Sequence, residues 1–315
     1  MSRLRLVFCG TPAFAVPSFQ KLAISAEFEI AAVYTQPDRP RGRGHEVSFS
    51  PVKEAALAAS IPVHQPAKVR LPEVEQHLRS VAPDAIVIIA YGQIIPARLL
   101  DIPRLGWINL HASLLPKYRG AAPINWAIAN GETITGNTTM RIDAGMDTGE
   151  MLLRQELPIG PDETTPELAD RLSHAGATLM IKTLRGLAAG SLTPQAQDHR
   201  QASLAPMLKR EDGRIAWEQR AEHIYNRMRG FTPWPGAFSE FRGQLCHLSG
   251  RPASKAIPGA TPGEILMESG ILYVVCGAAT AIQVSYVKLE GRKQVSAVEF
   301  ANGARLHAGE RFGNT

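Results

Sequence analysis

The sequence predicts an α/β fold in which a doubly wound parallel sheet is followed by a smaller OB-like β-barrel domain. Short apolar runs alternate with amphipathic stretches through the first half of the chain. About five short strands, parted by turn residues, crowd the last hundred or so positions. Between these regions lies a polar stretch without periodicity. At 315 residues, with 44% hydrophobic and 20% charged positions, the chain is long and apolar enough for two cores.

Residues 4–8, 30–35, 61–64, 85–90 and 107–110 read as strands, several of them apolar on both faces. Between them, 16–26, 51–59 and 72–81 read as helices, and Pro51 and Pro72 supply the proline that suits a first turn. Such alternation builds a parallel sheet whose ligands sit at the carboxyl ends of the strands. A helix at 124–129, strands at 138–142 and 151–157, and a long amphipathic helix at 165–189 complete a domain predicted to span 1–189. Ser191, Pro194, Gln195, Gln197 and Gln201 mark 190–207 as a linker. In the second domain, 208–315, a helix at 221–229 precedes strands at 237–241, 244–249, 263–267, 271–276 and 282–288. Turn pairs such as Arg242-Gly243 and Ser269-Gly270 separate them.

Several function classes fall away. The longest apolar stretch, 85–90, is far too short to cross a bilayer, and the first ten residues enter a strand rather than a secretion signal. Cys9, Cys246 and Cys276 are scattered, with no CxxC pair, which predicts reduced thiols and a cytoplasmic protein. At the first strand–helix junction a dinucleotide enzyme needs G-x-G-x-x-G. Only Gly10 is present there, and Pro12 and Phe14 fill the phosphate approach, so a nicotinamide or flavin enzyme is excluded. No HExxH or cysteine cluster exists, and the 143–149 loop lacks the register of a calcium loop, so no metal is expected. The formal charge of +5 and pI near 9.2 permit a polyanionic partner.

The most informative stretch is 109–120, Asn-Leu-His-Ala-Ser-Leu-Leu-Pro-Lys-Tyr-Arg-Gly. Strand residues two apart share a face, so Asn109 and His111 emerge side by side before a loop punctuated by Pro116 and Gly120. Asp147, in Asp-Ala-Gly-Met-Asp-Thr-Gly at 143–149, adds a carboxylate on a glycine-flanked loop. Acyl transfer to an amine passes through a tetrahedral centre with negative charge on the former carbonyl oxygen. An amide and an imidazole can stabilise that charge, one such donor being worth about 3–4 kcal/mol of barrier. The carboxylate would orient the imidazole and accept protons from the amine. No covalent nucleophile is needed; Ser113 lacks a G-x-S-x-G elbow. The competing interpretation makes Asn109 and His111 strand caps and Asp147 a turn residue. Arg39, Arg41, Arg43 and His45 interleave with proline and glycine in a loop suited to phosphates, or else simply solvated. Lys117, Arg119 and Lys209 would extend that basic surface.

Taken together these blocks resemble the methionyl-tRNA formyltransferase family, within the wider group that uses 10-formyltetrahydrofolate. The resemblance covers nearly the whole chain. It rests on Phe-x-Gly-Thr-Pro-x-Phe at 8–14, Gln-Pro-Asp-Arg-Pro at 36–40, Asn-x-His-x-Ser-Leu-Leu-Pro at 109–116 and Tyr-Arg-Gly-Ala-Ala-Pro-Ile at 118–124. Asp-x-Gly-x-Asp-Thr-Gly at 143–149 and Pro-Trp-Pro at 233–235 continue it. It implies a Rossmann-like first domain and an OB-like, tRNA-contacting second one. It makes Asn109, His111 and Asp147 the catalytic trio, and puts folate against Ser113, Leu114, Leu115 and Pro116 and against Ile89, Ala90, Tyr91, Gly92 and Gln93. The 36–50 loop, with Arg39, Arg41 and Arg43, would meet the acceptor end of initiator tRNA, alongside Lys117, Arg119 and Lys209. The implied reaction moves a formyl group from 10-formyltetrahydrofolate to the α-amino group of methionine on initiator methionyl-tRNA and releases tetrahydrofolate. A monomer suffices for it, with no membrane partner. The alternatives are the same chemistry on a small amine, such as a nucleotide-linked amino sugar, and a non-catalytic RNA-binding protein.

Overall fold

The computed structural model describes residues 3–41 and 46–313, so Arg43 and His45 lie outside the described residues. The chain divides into two compact units. The first comprises Met1–Pro123, Ile134–Pro158 and Leu168–Pro206; the second comprises Ile124–Thr133, Ile159–Glu167 and Met207–Thr315. The polar stretch expected as a linker therefore folds with the first unit up to Pro206.

Strand β1 (Leu4–Gly10) leads through α1 (Val16–Ala23) to β2 (Phe28–Tyr34). A short pair, β3 (Arg39–Arg41) and β4 (Glu46–Ser48), and α2 (Pro51–Ala58) precede β5 (Val63–His64). Then come α3 (Pro72–Val81), β6 (Ala85–Ile89), α4 (Ala97–Leu100), β7 (Trp107–His111), α5 (Pro123–Ala129), β8 (Ile134–Arg141), β9 (Met151–Pro158) and α6 (Thr165–Ala188). Seven strands form one sheet in the order β5-β2-β1-β6-β7-β8-β9. Pairing is parallel from β5 to β7, as alternation with helices requires. The sheet is not parallel throughout, however: β8 runs antiparallel to both β7 and β9. Residues 142–150 join β8 directly to β9, an antiparallel connection that needs no crossover helix.

The double apolar character of these strands has a direct structural cause. Leu6 and Phe8 of β1 enter one apolar layer with Phe19 and Leu22 of α1 and Met180 and Leu184 of α6. Val7 and Cys9 enter the opposite layer with Val74 and Leu78 of α3. On β7, Ile108 and Leu110 join the first layer and Trp107 the second. Asn109 and His111 share the parity of Trp107, so they continue its face where the strand runs out of the layer. Strand order reverses between β1 and β6, so a crevice opens at their carboxyl ends.

In the second unit α7 (Ala221–Gly230) is followed by β10 (Phe238–Phe241), β11 (Gln244–Pro252), β12 (Ile265–Glu268), β13 (Ile271–Val275), β14 (Ala281–Leu289), β15 (Val295–Ser296) and α8 (Ala297–Ala304). They form an antiparallel sheet, β10-β11-β14-β13-β12, with β15 added to β14. The expected barrel is not closed by strand pairing among the described residues. Its edges are laced instead by the C-terminal segment: Gly313 N donates to Glu240 O (2.9 Å), Phe312 N to Gly263 O (2.9 Å) and Ile265 N to Glu310 O (2.8 Å). Phe312 lies in the core beside Phe241, Phe300 and Trp217. Helix α8 was not expected, although Ser296 and Glu299 form the reciprocal cap that Ser-x-x-Glu announces. All three cysteines are buried and free, and burial pushes the thiols of Cys246 and Cys276 up to about 12.

Candidate active site

Asn109 and His111 stand at the carboxyl end of β7, opposite Met140 and Thr138 of β8. Two residues along a strand set their Cα atoms about 6.7 Å apart on one face. The Asn109 amide is half-buried and takes no hydrogen bond from or to the described residues, which leaves it open to a ligand. His111 is 5% exposed. Its Nε2 lies 2.9 Å from the Tyr118 carbonyl, an acceptor without a proton to give, so Nε2 donates. Nδ1 is then the ring nitrogen left for chemistry, and it faces Asp147 Oδ2 at 3.7 Å. At that distance imidazole and carboxylate are neighbours without a direct hydrogen bond, so both edges remain available to a reacting group beside them.

Asp147 is held from two sides. Its Oδ2 accepts the main-chain N–H of Gly120 at 2.9 Å. Asp143 braces the same loop, accepting from Gly145 N (3.0 Å) and from the Thr148 hydroxyl (2.8 Å). Two glycines permit this geometry. Gly120 has φ +121°, and a Cβ there would meet Ala205 O at 2.7 Å; a Cβ on Gly149 would meet Arg141 O at 1.9 Å.

The predicted folate residues divide into scaffold and surface. Ser113 is fully buried, its hydroxyl donating to Lys117 O at 2.6 Å, and Leu115 is held by its N–H on Thr138 Oγ1 at 3.1 Å. Pro116 is buried as well, so within 113–116 only Leu114 is partly accessible. At the end of β6, Ile89 is buried while Ala90 (φ 47°) and Gly92 (φ 82°) are exposed. The buried Tyr91 offers its carbonyl to Thr11 Oγ1 (3.3 Å) and Gln36 Nε2 (3.0 Å). Gln93 braces the chain before α3, accepting from Val69 N (2.5 Å) and donating to Pro66 O (3.3 Å). A left-handed alanine at a strand end, next to the crevice, is a strained feature of the kind that collects at functional sites.

The basic residues are not equivalent either. Arg39 is exposed on β3, paired with Ser48 of β4. Lys117 and Lys209 are exposed too, on the first and second unit respectively. Arg119, expected on the basic surface, is buried instead. Its guanidinium binds Gln197 Oε1 through Nε (3.0 Å) and Nη2 (2.6 Å) and faces His199 Nδ1 at 3.1 Å. No pattern in the sequence flagged Gln197, because it sits among polar residues that individually suit a linker. A cavity of about 550 Å³ in the second unit, lined by Phe241, Leu289, Arg292, Lys293 and Phe300 among others, contains none of the predicted site residues. Among the described residues, no group of three or more His, Cys, Asp or Glu side chains is arranged to hold a metal ion, and no helix is long and apolar enough to cross a membrane.

Comparison with known proteins places relatives along nearly the whole chain. Residues 4–184 match the formyl transferase family and 207–305 the formyl transferase C-terminal domain. The methionyl-tRNA formyltransferase of Solibacter usitatus (strain Ellin6076) is 54% identical over 311 residues, spanning 98% of this chain and 99% of that protein. The methionyl-tRNA formyltransferase of Koribacter versatilis (strain Ellin345) is 50% identical over 309 residues, 98% of each chain. A solved structure of the sugar 3N-formyl transferase WlaRD, in the presence of dTDP and 5-N-formyl-THF, superposes with a TM-score of 0.65 at 17% identity. It covers 93% of this chain and 100% of its own, a likeness of fold. With identity of this order over nearly its full length, the chain belongs to the methionyl-tRNA formyltransferase family.

Proposed function

We propose that the protein transfers the formyl group of 10-formyltetrahydrofolate to the α-amino group of methionine on initiator methionyl-tRNA, giving N-formylmethionyl-tRNA and tetrahydrofolate. The carrying observation is the juxtaposition at the end of β7 of an unengaged amide, Asn109, with an imidazole whose free nitrogen faces a carboxylate. Asn109 donates to the formyl oxygen. The amine attacks the formyl carbon, and the charge that grows on that oxygen is met by the amide and, with a proton on it, by Nδ1 of His111. A proton leaves the amine for Asp147, which passes it on to N10 of the folate as the C–N10 bond breaks. An oxyanion reaching His111 must use a protonated Nδ1, since Nε2 is committed to the Tyr118 carbonyl.

Exposed Ala90 and Gly92 and the partly accessible Leu114 would line the folate, with Ile89, Tyr91, Gln93, Ser113, Leu115 and Pro116 as the frame behind them. Arg39, with Arg41 and Arg43, would approach the acceptor end of the tRNA, joined by Lys117 and, on the second unit, Lys209. In this reading residues 1–189 are the catalytic domain and 208–315 an OB-like tRNA-contacting domain, working as a cytoplasmic monomer. The sugar-amine alternative loses ground because the relatives at about 50% identity are methionyl-tRNA formyltransferases. The test supplies labelled 10-formyltetrahydrofolate with charged initiator tRNA, charged elongator tRNA or a nucleotide-linked amino sugar. Label on the initiator methionine is the expected result; label on the sugar alone would overturn the reading.

A further inference from the structure

The segment 195–205 is stitched to both loops that carry the site. Gln195 exchanges main-chain hydrogen bonds with Met151, both at 2.8 Å, just after the 143–149 loop. Farther along, Ser203 accepts from Tyr118 N through its hydroxyl (2.9 Å) and from Arg119 N through its carbonyl (2.8 Å). Ala205 N donates to Arg119 O at 2.7 Å. Between these anchors Gln197, 5% exposed, donates its Nε2 to Asp147 O (2.9 Å) and Gly149 O (2.8 Å). Its Oε1 takes two N–H groups of the buried Arg119.

We propose that Gln197, clamped by Arg119, is a positioning residue that fixes Asp147 against His111 and thereby sets the rate of formyl transfer. This rests on the assignment of Asp147 above. A side-chain amide has one accepting and one donating end. The guanidinium fork saturates the accepting end, so the amide cannot turn over without leaving buried N–H groups of Arg119 unpaired. Nε2 is thereby aimed at the two carbonyls that flank Thr148. The loop needs such an external hold, because Asp147 sits at φ 53°, a left-handed backbone that residues other than glycine rarely adopt. The loop that carries Arg119 grips the other end of the aspartate: Gly120 donates its N–H to Oδ2. The aspartate is therefore tied twice, its carbonyl through Gln197 and Arg119 and its carboxylate through Gly120, to the very loop whose Tyr118 carbonyl holds His111.

Gln197→Glu keeps oxygen for the Arg119 fork but removes the N–H groups directed at the loop. Arg119→Lys keeps the charge but loses the fork. Each is assayed in the full chain with charged initiator tRNA and 10-formyltetrahydrofolate, beside Asp147→Asn. Gln197→Glu is expected to lower kcat about tenfold or more and to displace the pH profile of kcat, with both KM values within about twofold and the unfolding midpoint retained. Arg119→Lys should shift both readouts in the same direction by less, and serves if Gln197→Glu folds poorly. Normal kcat and pH profile in a folded variant, with Asp147→Asn inactive, would overturn the proposal. So would a loss of activity that merely tracks the folded fraction while the pH profile stays put. Normal turnover in Asp147→Asn would instead bring down the assignment of the carboxylate, and the role of Gln197 with it.

Discussion

At the end of β7, nearly every polar group from His111 to Gly120 is spent inside the protein. At the end of β2, the chain is tied at its root and then leaves Arg39 exposed. That root is well made. Buried Thr35 and Ser50 share a hydrogen bond of 2.8 Å, and Gln65 donates to Gln36 O (2.9 Å) and Asp38 Oδ1 (2.8 Å). Lys53 pairs with Asp38 and lies 3.8 Å from the centre of the Phe49 ring. Hydrogen bonds from Lys53 and Gln65 hold the Asp38 carboxyl below the usual carboxylate range. The contrast teaches a division of labour. A site that stabilises a transition state must have its donors fixed before the reaction begins. A surface that meets a phosphate backbone needs cations in solvent, where counterion release supplies the affinity.

The sharpest way to break this contrast is at β7. Asn109→Ala or His111→Ala should lower kcat at least about a hundredfold with little change in tRNA affinity. Steady-state kinetics beside tRNA binding would check it, and a variant with near-normal turnover removes that residue from the chemistry. The basic strand pair should behave in the opposite way. Replacing Arg39, Arg41 and Arg43 together by alanine should raise the KM for tRNA by about tenfold or more, leave kcat at saturation nearly intact, and flatten the dependence of binding on salt by roughly one phosphate contact per arginine. Untouched tRNA kinetics would return the loop to plain solvation and revive the small-amine alternative.

How legible these regions were in the sequence follows from the same division. The parallel core could be read because Leu6 to Cys9 must be apolar at every position when helices cover both faces. Asn109 and His111 could be read because strand parity alone puts them together. Of β8, expected at 138–142, the antiparallel direction and the start at Ile134 escaped, since its polar run from Asn137 to Thr139 is buried through specific hydrogen bonds that no periodicity announces. Gln197 and the burial of Arg119 escaped for the same reason: each is acceptable only because the other is there. Among the basic residues, charge alone does not tell an arginine that faces solvent from one that braces a loop.

A gentler cut at the root of the strand pair sharpens the comparison further. Lys53→Met leaves Asp38 with Gln65 as its remaining partner. It should raise the KM for tRNA several-fold, by loosening the orientation of β3, while the KM for folate and kcat hold. A proportional fall in kcat would show that the root and the catalytic loop are not independent.

The smallest effect is expected from His64, whose carbonyl accepts from Thr35 N at the same root. Its ring stacks on Tyr34 (5.2 Å between centroids) and lies 4.2 Å from that of His77, whose Nδ1 is 2.6 Å from the Tyr34 hydroxyl. Burial first, and the neighbouring charge of His77 second, hold the His64 pKa below its ordinary 6.5. The unfolded chain therefore takes up a proton at a pH where the folded protein still refuses it. Stability from this group is complete above about pH 6.5 and is lost as pH falls through the lower folded value. His64→Gln should flatten that acid limb in unfolding experiments while leaving stability near pH 8 almost unchanged. His247, shifted the same way by its own burial in the second unit, keeps part of the limb in place. If the root of β3 shares this sensitivity, mild acid should raise the KM for tRNA before that for folate, and His64→Gln should narrow the difference. Parallel rises in both KM values, unaltered by the substitution, would show that protonation near β5 does not reach the basic strand pair.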